Sequence, residues 1–174
     1  MGRGKGEHGE MVHTQATRMT SPADVAARQA SHQAIIDTKQ AYMKAIENAL
    51  AELDSKIQKI KDANVAAHGQ YASLTEEARA EQVRAEQEYL DKVEPFRVAY
   101  SEGRLQEAKR VNNEYLINSL SDEREQVTKN SNLIGQERIL LMHAKHDADP
   151  ANKDEVEAYA AHMRAQYGPD WIRF

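Results

Sequence analysis

The chain contains no cysteine, which removes disulfide frameworks, thiolate nucleophiles and cysteine-based zinc sites together. Large aromatics are scarce. Two Phe and one Trp are too few for a thick globular core, so thin helix-on-helix packing is expected. Four Pro and eight Gly among 174 residues leave long stretches without a helix breaker. The longest uninterrupted apolar run, Ile139 to Met142, falls far short of the roughly 20 residues that cross a bilayer. Basic charge is not in excess either. A net charge of −5 and a pI near 5.8 argue against nucleic acid as a partner, because phosphate neutralisation needs a concentrated basic face.

The first twenty residues lack an apolar core and carry Glu7 and Glu10, which fits neither a secretory signal nor an acidic-poor mitochondrial presequence. Gly2 does not start a myristoylation motif, since Gly6 stands where Ser or Thr is required. The expectation is an intracellular protein, soluble or peripheral, with mitochondrial import left open in the absence of a typical presequence.

What the chain has is periodicity. Met43, Ile46, Leu50, Leu53, Ile57 and Ile60 alternate steps of three and four, which keeps them on one narrow helical stripe and marks a seam for another helix. Ile36, Met43, Leu50, Ile57 and Asn64 form one column of that seam. Lys39, Ile46, Leu53, Ile60 and Ala67 form the other. Alanine with Glu, Lys, Arg and Gln dominates the rest, and the mean hydropathy is −0.79. Strands are not signalled.

The stretch 1–20 mixes glycines with alternating charges and reads as a flexible arm. Ser21-Pro22-Ala23-Asp24 then starts a helix with a cap, a first-turn proline and an acid at the positive dipole end. It should run to about His68 and stop at Gly69, with Asn64 marking where the seam frays. Ser73-Leu74-Thr75-Glu76 is a capping box for a second helix over 74–94, whose inner face is read as Val83, Leu90 and Val93 with Ala78 and Ala85. Pro95 ends or kinks it, and Ser101-Glu102-Gly103 supplies a turn. A third long helix is expected over 104–146, with Leu120, Val127, Ile134 and Leu141 in one column. Its companion column carries Glu123, Asn130 and Glu137, acids that must meet bases or water. The apolar stripe widens around Leu133, Ile134, Leu140 and Leu141, a second interaction candidate. Asp149-Pro150 caps a fourth helix bearing Val156, Ala160, Met163 and Tyr167. After Gly168-Pro169 the chain ends on Trp171, Ile172 and Phe174, aromatic anchors of the kind that fill interface pockets. They either fold back to seal the bundle or dock on a partner, and docking is the expectation.

No catalytic constellation stands out, and the HExxH, Walker and GxGxxG patterns are absent. His143 and His146, followed by Asp147 and Asp149, have a spacing that zinc or nickel accepts. Their place near a helix C-terminus explains them without a metal, through dipole and carbonyl contacts. No cofactor is expected.

In plan the chain resembles the helical d-type subunit of the mitochondrial ATP synthase peripheral stalk: long helices, a short acidic segment and an aromatic end, here Lys145-His146 through Trp171. The Ile-Asp-Trp segment of that family is missing, with Ile36-Asp37-Thr38 as the nearest string. The resemblance implies a large energy-converting or motile assembly as the setting. The sequence therefore predicts an all-α, coiled-coil-like helical hairpin over 21–146 and a short C-terminal helix and tail over 147–174. Its expected role is non-catalytic: a scaffold or accessory subunit bound to other protein subunits by helix packing, with a homodimeric coiled-coil adaptor as the rival reading.

Overall fold

The computed structural model describes residues 21–129 and 132–172. The arm expected over 1–20, the side chain of Val127, and Asn130, Arg173 and Phe174 lie outside the described residues. Among the described residues five α-helices follow one another: α1 (Pro22–His68), α2 (Glu76–Arg110), α3 (Glu114–Lys129), α4 (Leu133–Ala148) and α5 (Lys153–Tyr167), with a 3₁₀ turn at Pro150–Asn152 before the last. No strand occurs among the described residues. The fold is all-α, as its periodicity predicts.

α1 starts where the sequence places it. Ser21 Oγ accepts the Asp24 N–H at 3.1 Å, and the helix runs 47 residues, about 70 Å at the standard rise. Gly69, with φ +95°, ends it in a backbone region that other residues enter only under strain. α2 turns back along α1, capped by Thr75, whose Oγ1 accepts the Ala78 N–H at 3.1 Å. Asn64 does not fray. It is buried, donating to Ser73 O at 3.2 Å and accepting from Thr75 N–H at 3.3 Å, so its amide ties α1 to the hairpin turn.

Ile46 and Val93 are fully buried, and Leu50, Leu53, Ala85, Tyr89 and Tyr100 close around them. Met43, Ile57 and Leu90 pack on this core from its margins. One end of the seam shifts: Ile35 is buried and Ile36 is 42% exposed. A straight α-helix drifts about 20° per heptad against a strict seven-residue repeat. Four heptads separate Asn64 from Ile36, so the column rotates off its partner and the preceding residue takes over. On α2 the inner face is also rotated from the expected one, since Val83 is exposed and Tyr89 buried.

Three expected boundaries are corrected. α2 passes through Pro95 and through Ser101-Glu102-Gly103 to Arg110. Pro95 faces outward and forfeits one backbone bond, whereas Val93 and Tyr100 on either side are held against α1, and that packing outweighs the lost bond. The third helix expected over 104–146 is three pieces. Its first break falls at Val111–Asn113: Asn112 takes φ +51°, a left-handed value that Asn tolerates, and the Asn113 N–H bonds back to Ala108 O at 3.0 Å. The Asn113 side chain then accepts the Leu116 N–H at 3.1 Å and caps α3. The second break separates Lys129 from Leu133.

α4 lies along the hairpin, with Ile134 and Leu141 on its core. A smaller cluster forms at the other end from Ala108, Leu116, Leu120, Ala160 and Trp171, flanked by Leu105, Ile117, Met163 and Tyr167.

Candidate interaction surfaces and two polar nodes

The six seam residues face α2 of the same chain, so the stripe is satisfied within the hairpin and is not itself an open surface. Met43, Ile57 and Ile60 are half-buried, and the other three are buried. The widened stripe divides. Ile134 and Leu141 pack inward and Leu133 is half-buried, while Leu140, with its neighbours Ile139 and Met142, points away from the core and is exposed. Trp171 is 4% exposed, edge-on to Tyr159 at 5.9 Å, and Ile172 packs on the hairpin core. This corrects the expected docking of Trp171 on a partner: an indole after a Gly-Pro stop finds its apolar pocket within reach on its own chain.

Across the hairpin from α4 runs an open groove of about 430 Å³, lined by Ala41, Ala45 and Ala49 of α1 and by Lys92 and Phe96 of α2. Small side chains make it shallow, and Phe96 stands 42% exposed along it. The rim beside it is neutralised internally, because Lys56 bonds Glu88 at 2.5 Å and Lys92 bonds both Glu88 and Glu52.

The first polar node holds α4 to the hairpin. Glu137 is fully buried. Its carboxylate accepts Arg97 Nε at 2.7 Å and Arg97 Nη2 at 3.0 Å, together with the hydroxyls of Tyr42 and Tyr89, the latter at 3.0 Å. The need for a basic partner was legible at Glu137, but its identity was not. Burial, then the charge of Glu137, pushes both phenols well above the ordinary tyrosine range. Burial pulls the Arg97 guanidinium down, yet its hydrogen bond and charge pairing with Glu137 outweigh this and leave it raised. Nearer the solvent, Arg138 pairs with Asp54 and Lys145 with Glu47 at 3.1 Å. The other acid flagged, Glu123, meets Arg104 at 3.1 Å.

The second node was missed. His32 of α1, Glu107 of α2 and Asp170 of the tail place three donor atoms within 4.8 Å of one another. Glu107 is 4% exposed. Burial raises its carboxyl, but hydrogen bonds from Arg110 and Ser31 prevail and hold it below the usual range. Arg110 grips it at 2.8 and 2.6 Å. Arg28 reaches Asp170 at 3.4 Å. Two guanidiniums already occupy these carboxylates, so the chemistry is that of an ion-pair node and does not favour a divalent cation. Residues 75 and 63 positions apart leave no local spacing, which is why the sequence gives no hint of it.

His143 and His146 are both exposed and do not converge on a shared group. The His146 ring lies 3.3 Å from the Asn152 amide and 3.5 Å from Glu155, while Asn152 caps the His146 carbonyl at 2.9 Å. Among the described residues, the cluster that could bring three ligand atoms together is the second node, and it excludes both. No helix among the described residues is long and apolar enough to cross a membrane. Comparison with known proteins finds no matching family model, no similar curated protein and no similar solved structure.

Proposed function

We propose that the protein is a non-catalytic helical scaffold, an accessory subunit that lies along a larger protein assembly and fixes its parts. The observation that carries this reading is the apolar surface left over once the hairpin has closed its own seam: Phe96 beside the alanine groove on one side, and Ile139, Leu140 and Met142 on the other. Contiguous exposed apolar side chains on a long, thin support are what helix packing against a partner requires. The two buried carboxylates lend support, because each is closed off by guanidinium and hydroxyl donors and neither stands ready as an acid or base. The resemblance in plan to the stalk subunit supports an energy-converting complex as the setting.

Purification of the native protein under mild conditions, with and without Ile139→Lys and Phe96→Glu, tests the proposal. A stoichiometric partner retained by the native chain and lost from one of the variants is the expected result. The rival reading, a homodimeric adaptor, rests on the same exposed surfaces. It requires the isolated protein to sediment as a discrete elongated dimer that Ile139→Lys or Phe96→Glu converts to monomer. A stable monomer that recruits nothing would defeat both.

A further inference from the structure

A pair of tyrosines joins α3 to α5, and we infer that it is an oxidative modification site at which a dityrosine bond staples the two helices together. Tyr115 lies in the first turn of α3, and Tyr167 is the last residue of α5. Their rings stack 15° from parallel with centroids 4.4 Å apart, and the Tyr167 hydroxyl donates to that of Tyr115 at 3.3 Å. Stacked rings whose hydroxyls also meet bring the ortho carbons beside those hydroxyls face to face. The backbone holds this register. Asn113, which caps α3 through the Leu116 N–H, also donates from its side-chain amide to Tyr167 O at 3.3 Å.

This pair differs from the other tyrosines in being both stacked and open to solvent. Tyr115 is 55% exposed and Tyr167 is half-buried. Tyr42 and Tyr100 are also neighbours, but their rings lie 5.7 Å apart and tilted by 40°. Both are buried, and the Tyr42 hydroxyl is held by Glu137. Tyr71, on the turn after α1, is 94% exposed, yet no ring pairs with it among the described residues. Tyr159 meets Trp171 edge-on.

The co-reactant is hydrogen peroxide, used by a haem peroxidase as a one-electron oxidant. Each phenol gives up one electron and its hydroxyl proton, which leaves a radical shared between the oxygen and the ortho carbons. Two such radicals on facing rings combine, and a carbon–carbon bond forms between ortho positions. The ortho hydrogens then leave as protons, and the oxygens take up protons to restore both hydroxyls. The pair thus loses two electrons and two protons, and peroxide accepts them to become two waters. Because the second radical forms in contact with the first, coupling within the chain outruns encounters between chains. In a protein without cysteine the new bond acts as a disulfide would. It ties positions 52 residues apart across the small apolar cluster and restricts the opened state of that unit.

Treating the dilute full chain with a haem peroxidase and hydrogen peroxide tests the site. The expected product is monomeric, lighter by two hydrogens and fluorescent as dityrosine, with Tyr115 joined to Tyr167 in peptide mapping. Tyr115→Phe and Tyr167→Phe keep a ring in the stack and remove the phenol. Each should leave circular dichroism unchanged and lower the yield of monomeric dityrosine by about tenfold or more, whereas Tyr71→Phe should leave that yield as it is. In the linked protein, amides across Lys153–Tyr167 should exchange about tenfold more slowly than in Tyr115→Phe treated alike. Dityrosine formed chiefly between chains through Tyr71, or a monomeric yield that survives Tyr115→Phe, would overturn the site. Equal exchange in the linked and unlinked proteins would overturn its role as a staple.

Discussion

Glu137 carries more consequence than any other single residue, because it is a fully buried charge whose partner comes from a different helix. Removing one member of such a pair leaves the other uncompensated. Glu137→Ala should therefore cost about 3–5 kcal/mol in urea denaturation, and Glu137→Leu combined with Arg97→Met should recover only part of that loss, because the Tyr42 and Tyr89 hydroxyls still lose their acceptor. A small effect from the single substitution would mean that water reaches the site. The same node makes an alkaline prediction. Tyr42 and Tyr89 are raised well above the ordinary tyrosine range, and burial pushes Tyr100 up to about 12. A phenol raised in the folded state contributes stability that is complete below the unfolded value near 10 and is lost as pH climbs through the folded value. Stability should thus begin to decline near pH 10 and go on declining as pH rises further. Tyrosinate absorption should show these three phenols staying protonated until the chain unfolds.

Among the elements, the hairpin was the most legible in sequence, because its signals are local. Alternating steps of three and four named the buried face of α1, Ser21-Pro22 and Gly69 bounded it, and Thr75 began α2 near the capping box. Replacing Leu50 with Asp should lower the melting temperature sharply, at a cost of several kcal/mol, since a carboxylate would enter the core without a base. Unchanged thermal unfolding would mean that the stripe is solvated. Of the two readings of Pro95, an end or a kink, the end is excluded: its local penalty is real, but packing at Val93 and Tyr100 overrides it. If so, the penalty is still being borne, and Pro95→Ala should stabilise the protein by about 1–3 kcal/mol. A destabilised Pro95→Ala protein would show instead that α2 needs the geometry proline imposes. The break at Asn112-Asn113 carried a readable signal, a left-handed residue followed by a capping one, that the heptad column of Leu120, Ile134 and Leu141 obscured. The Glu137 and Glu107 nodes had no local signal at all, since their members meet only after the chain has folded.

For the whole molecule, the separation of the two apolar clusters sets how it comes apart. The hairpin core draws on α1 and α2, with α4 laid against it. The small cluster draws on the end of α2, on α3, on α5 and on Trp171. Trp171 is the largest side chain in the small cluster, and Trp to Ala in a core typically costs 3–5 kcal/mol. That is a large share of what holds this cluster, whose other buried members are two leucines and two alanines with four half-buried apolar residues at the margin. Trp171→Ala should therefore release α5 and loosen α3 while the centre of the hairpin stays folded, as local unfolding units do when their contacts are separate. Amide hydrogen exchange reads this directly. Protection around Ile46, Leu53, Tyr89 and Val93 should persist in the variant, and protection from Leu116 to Leu120 and across Lys153–Tyr167 should collapse. A single loss of protection throughout the chain would show that the two clusters act as one core and that the tail seals the whole fold. The scaffold reading depends on the first outcome, because a rod that keeps its hairpin when its end opens can stay in place along an assembly while its C-terminal unit is released.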